Sequence, residues 1–117
     1  MTVRLDPAEY ILRQSRIVPR DASPKMSENA LLRAVRDLAT MLGWTSYHTL
    51  WAQGSEAGFP DLTMVRAGRV LFAELKSDKG ATTPSQRRWL WSLAEAGAEV
   101  HLWRPDDLDT RIPAVLR

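Results

Sequence analysis

The chain of 117 residues contains no cysteine. This absence excludes disulfide bonds and thiolate zinc sites and is typical of a protein from a reducing cytoplasm. Long apolar runs are also missing, since none approaches the roughly 20 residues that a membrane-spanning helix requires. The N-terminus has no apolar segment of the kind found in secretory signals. We therefore expect a cytoplasmic protein without a membrane partner.

A large excess of either charge is lacking as well, because the formal net charge is only +2. A polyanionic partner is compatible with this charge but is not required by it. The length suits a single hydrophobic core. Residues 1–26 are predicted to form a basic N-terminal arm with a short helix that begins near Asp6, and residues 27–117 the main domain.

Helical and strand patterns alternate in the main domain. Apolar residues at three- and four-residue spacing predict a helix that begins at the N-cap Ser27 and stops at Gly43. Thr83, with Pro84 and Gln86 behind it, predicts the start of a second helix. Strand patterns occupy residues 45–51, 61–66, 69–76 and 98–105, and a helical turn and tail follow. Because a helix between two strands builds a parallel pair, we predict an α/β fold with a mixed sheet of about four strands flanked by helices.

The segment GFPDLTMVRAGRVLFAELKSDKG, residues 58–80, predicts a hairpin that turns at residues 67–68 or 66–69. Either turn places Asp61 opposite Glu74, and the two-residue period of a strand puts Lys76 on the same face. Two opposed carboxylates repel unless a cation lies between them. Oxygen ligands suit Mg²⁺ or Mn²⁺, whereas the absence of cysteine and of clustered histidine argues against zinc. Such a site supports phosphodiester hydrolysis.

The residues GFPD, followed after twelve residues by ELK, resemble the PD-(D/E)XK signature of the restriction-endonuclease-like superfamily. The helix that carries Glu28, the glutamine of TPSQRRW and the closing GAEVHLWRP extend the likeness. Together these features resemble the VRR-NUC family of nucleases over residues 27–105. The resemblance implies a restriction-endonuclease-like core.

This resemblance also implies roles for individual residues. Asp61 and Glu74 are expected to bind a metal ion, with the main-chain carbonyl of Leu75 as a further ligand, and Lys76 is expected to be the catalytic lysine. The implied activity is that of a divalent-metal-dependent DNA endonuclease selective for branched, flapped or four-way-junction DNA. The family likeness further implies a homodimer and a bacterial or bacteriophage origin.

Two residues acquire a catalytic role only through the resemblance. Glu28 matches the family's acid on the first helix, which binds the metal directly or through water, but an acid in a first helical turn also suits the helix dipole. Gln86 matches the family's glutamine, which helps hold the site, and it also completes a capping box.

Several other residues have both a binding and a structural interpretation. Lys79, Arg87 and Arg88 are candidate DNA-binding residues, although surface charges on a helix need no function. Trp89 is expected in the core, whereas Trp91 faces another direction and is a candidate for a dimer or DNA contact. His48 is interpreted as an ordinary strand histidine, with a direct role in the site as the alternative.

Two other functions are compatible with the pattern. One is a non-catalytic DNA-binding module with a nuclease-like fold, which would be indicated by loss of an acid or of the lysine. None of these residues is lost. The other is a small-molecule phosphoesterase, which is disfavoured because the sequence shows no glycine-rich phosphate-binding loop.

Overall fold

The computed structural model describes residues 26–50 and 53–117. The short helix predicted in the N-terminal arm lies outside this part of the chain. The elements are, in order, α1 (Glu28–Met41), β1 (Thr45–His48), β2 (Leu62–Arg66), β3 (Arg69–Leu75), α2 (Pro84–Glu95), β4 (Glu99–Trp103), a 3-10 turn (Pro105–Asp107) and α3 (Arg111–Leu116).

The strands form one four-stranded sheet in the order β1-β2-β3-β4. Neighbours are antiparallel except β3 and β4, which are parallel because α2 connects them. The predicted mixed α/β fold is therefore confirmed. The predicted hairpin register is confirmed as well, with Leu62 opposite Ala73. Its turn consists of Ala67 and Gly68, whose φ angles of 46° and 82° are those of a type I′ turn that matches the twist of the strands.

Both main helices begin at the predicted residues. The Ser27 hydroxyl accepts the Ala30 N–H at 3.1 Å and caps α1. At the start of α2 the Gln86 N–H donates to Thr83 Oγ1 at 3.2 Å, and the Thr83 N–H donates to Gln86 Oε1 at 2.9 Å. This reciprocal capping box satisfies two main-chain donors that would otherwise lack partners, so the helix limits follow from local sequence.

Apolar side chains are buried on both faces of the sheet. One face packs against α1 and α3, in a cluster of Leu31, Val35, Ala39, Trp44, Leu62, Met64, Leu71, Ala73, Leu75, Trp103, Ile112 and Leu116. On the other face Leu90 and Ala94 of α2 pack against Val100 and Leu102 of β4. The predicted C-terminal tail is thus an integral helix, because its Ile112 and Leu116 are fully buried.

Several predicted strand ends are wrong by a few residues. β1 was expected to reach residue 51 but ends at His48. β4 occupies Glu99–Trp103 rather than 98–105, and β3 ends at Leu75, although the Lys76 N–H still donates to the Trp103 carbonyl at 3.0 Å. β2 begins after Asp61, whose side chain replaces the main-chain pairing expected there.

The hairpin face that points away from α1 is partly uncovered near its turn. Val65 and Val70 are apolar, yet 47% and 48% of their surfaces are exposed. Helix α2 packs on β4 and leaves this end of the hairpin open. In residues 26–50 and 53–117 we find no helix that combines the length and apolarity needed to cross a membrane.

Candidate active site

Asp61 lies at the entrance to β2, where it contacts both neighbouring strands. Its main-chain carbonyl accepts the Thr49 N–H at 2.8 Å, which continues the pairing of β1 with β2. Its carboxylate Oδ2 accepts the Leu75 N–H at 2.7 Å. This second bond holds the Asp61 carboxylate at the C-terminal end of β3, next to Glu74.

Glu74 is buried in the sheet with an unsatisfied carboxylate. Only 1% of its surface is exposed, and neither carboxylate oxygen has a hydrogen-bond partner among the described residues. Lys76 is 7% exposed, and its Nζ lies 3.9 Å from Glu74 Oε1. Because buried carboxylates are normally hydrogen-bonded as well as paired, this arrangement indicates that a further group belongs at Glu74.

The electrostatic environment strongly favours the neutral form of Glu74. Burial, followed by the negative charge of Asp61, raises the pKa of Glu74 to about 9, although the nearby Lys76 acts in the opposite direction. The charge of Glu28 contributes to the same rise. A cation at this position would reverse the effect and favour the carboxylate.

The pKa values of the two other acids are also above their ordinary range. Burial raises the pKa of Asp61, against the hydrogen bond from Leu75 and the charge of Lys76. Burial also raises the pKa of Glu28, and the Asp61 charge adds to this, whereas Lys76 opposes it. The charges of both residues thus act on Glu28 in the first turn of α1, and its role as a metal ligand stays a prediction.

The acid cluster offers a metal ion carboxylate oxygens as ligands. Residues 26–50 and 53–117 contain no group of three or more His, Asp or Glu side chains arranged to hold a metal. What they provide is two acids, Asp61 and Glu74, the second with both oxygens unpartnered among those residues. Mg²⁺ usually keeps several waters and is bound by one or two carboxylates, so this set fits a hard, partly hydrated dication.

The other predicted residues lie at different distances from this cluster. The main-chain N–H of Leu75 donates to the Asp61 carboxylate and thereby orients this acid. Gln86 lines a cleft that also includes Asp61, while its Oε1 remains in the capping box. The structural interpretation of Gln86 is therefore correct, and its catalytic role stays a prediction.

The three predicted DNA-binding side chains differ in their surroundings. Lys79 and Arg88 are exposed. Arg87 is half-buried, and its guanidinium donates to the Thr82 carbonyl at 2.8 Å and to the Thr82 hydroxyl at 3.3 Å. Arg87 thus helps to fix the loop before α2, whereas Lys79 and Arg88 are available to a ligand.

Sequence reasoning missed a residue that supports the loop after Lys76. Arg104 is 5% exposed, and its Nη1 donates to the carbonyls of Ser77 and Gly80, each at 2.8 Å. It joins the end of β4 to the segment that follows Lys76. No local pattern around Arg104 predicts these bonds, because they connect residues far apart in the sequence.

Histidine and tryptophan positions agree only in part with expectation. His48 lies close enough to Asp61 for its charge to oppose the rise in the pKa of that acid, so the direct role stays open as a prediction. Trp89 is half-buried rather than part of the core, and its Nε1 donates to the Ala57 carbonyl at 3.1 Å. Trp91 is 42% exposed, in line with its different direction.

The fold is a mixed sheet with flanking helices. An acid pair and a lysine lie at the end of its central hairpin that is distant from the turn. These features define a restriction-endonuclease-like α/β domain. A family model described as the VRR-NUC domain matches residues 12–106, so the chain belongs to the VRR-NUC domain family. The match begins inside the predicted N-terminal arm. Membership indicates a nuclease-type function in DNA processing, and therefore DNA binding.

Two solved structures share this fold. One, a VRR_NUC domain, has a TM-score of 0.63 and 24% identity, and the alignment covers 74% of this chain and 94% of that chain. The other, a VRR_NUC domain protein, has a TM-score of 0.63 and 20% identity, with coverage of 79% and 87%. No curated protein matches the chain significantly.

Proposed function

We propose that the protein is a divalent-metal-dependent DNA endonuclease that acts on branched, flapped or four-way-junction DNA. The observation that carries the proposal is the buried Glu74, whose carboxylate oxygens lack hydrogen-bond partners in the described residues while Asp61 and Lys76 lie beside it. Mg²⁺ or Mn²⁺ held by Asp61 and Glu74 would polarise a phosphoryl oxygen and lower the pKa of a bound water.

The remaining roles belong to side chains and main-chain groups of this chain. The Leu75 N–H orients Asp61, and its carbonyl is the further ligand that we propose. Lys76 carries the positive charge that orients the attacking water and offsets the negative charge that develops on phosphate oxygens. Attack forms one P–O bond and breaks the bond to the leaving oxygen, which takes a proton. Glu28 acts through water, and Gln86 keeps the start of α2 in position.

Cleavage of labelled DNA tests this function. Fully paired duplex, flap and four-way substrates are incubated with Mg²⁺, Mn²⁺ or EDTA under single-turnover conditions. We expect product with either metal, none with EDTA, and faster cleavage of the branched substrates. Lys76→Met should reduce the rate by about 10²- to 10³-fold, the usual effect of removing one group that stabilises transition-state charge.

A neighbouring lysine provides the matched control. Lys79 is exposed and lies three residues away, so Lys79→Met should weaken DNA binding but leave the single-turnover rate at saturating protein unchanged. Cleavage by Lys76→Met at the wild-type rate would overturn the proposed chemistry. Tight DNA binding without any metal-dependent product would favour the non-catalytic module, and hydrolysis of small phosphate esters that DNA does not inhibit would favour the phosphoesterase.

We also propose that the active form is a homodimer, as the family resemblance implied. Light scattering coupled to size-exclusion chromatography tests this point, because a dimer has twice the 13.2 kDa chain mass. If the protein mass per complex with a four-way junction equals that of one chain, the dimer proposal is contradicted.

A further inference from the structure

A cleft of about 390 Å³ adjoins Asp61. Its walls come from the end of β1, from residues 55–59 of the following loop and from the start of α2. The volume falls within the range of roughly 300 to 1,000 Å³ that is usual for small-molecule sites. The cleft is therefore large enough for a ligand group that reaches beyond the acid and lysine cluster.

One wall of the cleft is a fixed set of aromatic rings. Phe59 packs edge-to-face against Trp89, with ring centres 5.0 Å apart, and against Phe72 at 5.7 Å. The loop itself is pressed onto α2, because a Cβ at Gly58 would lie 2.5 Å from the carbonyl carbon of Ser85. Gly58 also has a φ of +92°, which side chains rarely adopt. The wall is thus built into the fold.

The rim of the cleft carries large side chains that the fold leaves uncovered. Tyr47 is 66% exposed and Leu50 is 69% exposed, and both line the cleft. Tyr47 pairs with Thr63, and the strand period places Thr63 on the same face as Asp61. Exposed apolar groups around a concavity mark a binding surface, so Tyr47 is placed to contact a ligand that also reaches Asp61.

Two polar groups at the cleft lack a full set of partners. The Thr49 hydroxyl is buried and has no hydrogen-bond partner within the part of the chain that the structure describes. Gln86 uses its Oε1 in the capping box, which leaves its amide nitrogen as a donor. A flat apolar face with a few polar groups beside it suits a heteroaromatic ring that carries hydrogen-bonding edges.

We propose that this cleft binds one unpaired nucleobase of the DNA substrate, stacked on Tyr47, beside the phosphate that Asp61 and Glu74 address. A base within a duplex is covered on both faces by its neighbours, so the cleft accepts only a base from a flap, gap, branch or extruded position. The inference rests on the proposed nuclease function and gives it a physical basis for selecting branched substrates.

Binding in the absence of cleavage tests the proposal. Fluorescence anisotropy with EDTA compares two flap substrates that differ only at the first unpaired position, which carries either thymine or an abasic site. The wild-type protein should bind the thymine substrate about 5- to 150-fold more tightly, the range that stacking of one base on an aromatic side chain provides. Tyr47→Ala should remove most of this difference, and Tyr47→Phe should retain it.

Met41→Ala is the matched control, because Met41 is an exposed apolar residue, 81% accessible, on α1 and outside the cleft. It should leave the thymine preference unchanged. Equal binding of the two substrates by the wild-type protein, or a preference that survives in Tyr47→Ala, would overturn the proposal. Cleavage of the fully paired duplex and of the thymine flap substrate with Mn²⁺ is measured in parallel. If either DNA is cut but the base preference is absent, only the cleft assignment fails, whereas a base preference without cleavage of either DNA refutes the nuclease function alone.

Discussion

Replacing Glu74 by glutamine should stabilise the metal-free protein while it abolishes cleavage. Glu74 is almost fully buried, its oxygens have no hydrogen-bond partner among the described residues, and its pKa is raised to about 9. At neutral pH the unfolded chain carries Glu74 as a carboxylate, so folding must either take up a proton or bury the charge. Glutamine has nearly the same shape and removes this penalty.

The size and pH dependence of the gain follow from the two pKa values. Below pH 4.5 the carboxyl is neutral in both states, and the gain should vanish. As the pH rises above 4.5, the gain should grow by about 1.4 kcal/mol per pH unit, because the unfolded wild-type chain releases the Glu74 proton whereas the folded chain retains it up to about pH 9. It should reach about 3 kcal/mol at pH 7 and level off above about pH 9. For a chain of this length the pH 7 value corresponds to a rise in Tm of roughly 10 °C.

Urea unfolding with EDTA at pH 4, 7 and 9 measures this gain. Glu95→Gln is the control, because Glu95 is exposed on α2 and its replacement should change the free energy of unfolding by no more than about 0.5 kcal/mol at any pH. Adding Mn²⁺ at pH 8 should then stabilise the wild-type protein more than Glu74→Gln, since only the wild type retains both acids. A loss of stability in metal-free Glu74→Gln at pH 7 would refute the burial and charge argument.

Three further substitutions test how the site is supported. Gly58→Ala should lower the free energy of unfolding by about 2 kcal/mol or more, because of its positive φ and the 2.5 Å approach to Ser85; an unchanged urea midpoint would contradict the close packing of the loop on α2. Thr83→Ala should remove the N-cap of α2 and lower Tm by an amount equivalent to about 1 kcal/mol, and a neutral effect would show that the cap does not matter. Burial tends to raise the pKa of Glu99, but hydrogen bonds from His101 and Arg69 outweigh it and hold this pKa below its ordinary value. Glu99→Gln should therefore lower the free energy of unfolding by about 1 to 3 kcal/mol at pH 7. This loss should shrink as the pH falls through the lowered pKa of Glu99. A loss that does not depend on pH would argue against the ion pair.

The acid pair was predictable because its geometry depends on a local pattern. A two-residue turn and the alternation of side chains fix the register between Leu62 and Ala73, and the same register brings Asp61 to Glu74. The capping box at Thr83 is equally local. What the register does not show is that Asp61 accepts the Leu75 N–H through its side chain, in place of main-chain pairing with β3.

Other features depend on contacts between distant parts of the chain. The close packing of Gly58 against Ser85 brings a loop onto a helix that is distant in the sequence. The two glycines of the GSEAG segment do indicate positive φ angles, but they do not indicate this contact. The bonds from Arg104 to the loop after Lys76 carry no sequence signal. The burial of Ile112 in the main core was missed because a six-residue helix gives too short an amphipathic pattern.

The alternation of side chains along β3 links the direction of the Glu74 carboxyl group to the packing of the core. Leu71 and Ala73 are buried toward α1, and Glu74, as the next residue, must point to the opposite side. Sliding β3 by one position would remove Leu71 and Ala73 from the core beside α1 and put the Glu74 carboxyl group in their place. Mutations that preserve the core on the α1 side therefore also preserve the direction in which the Glu74 carboxyl group points, without any separate selection for its orientation.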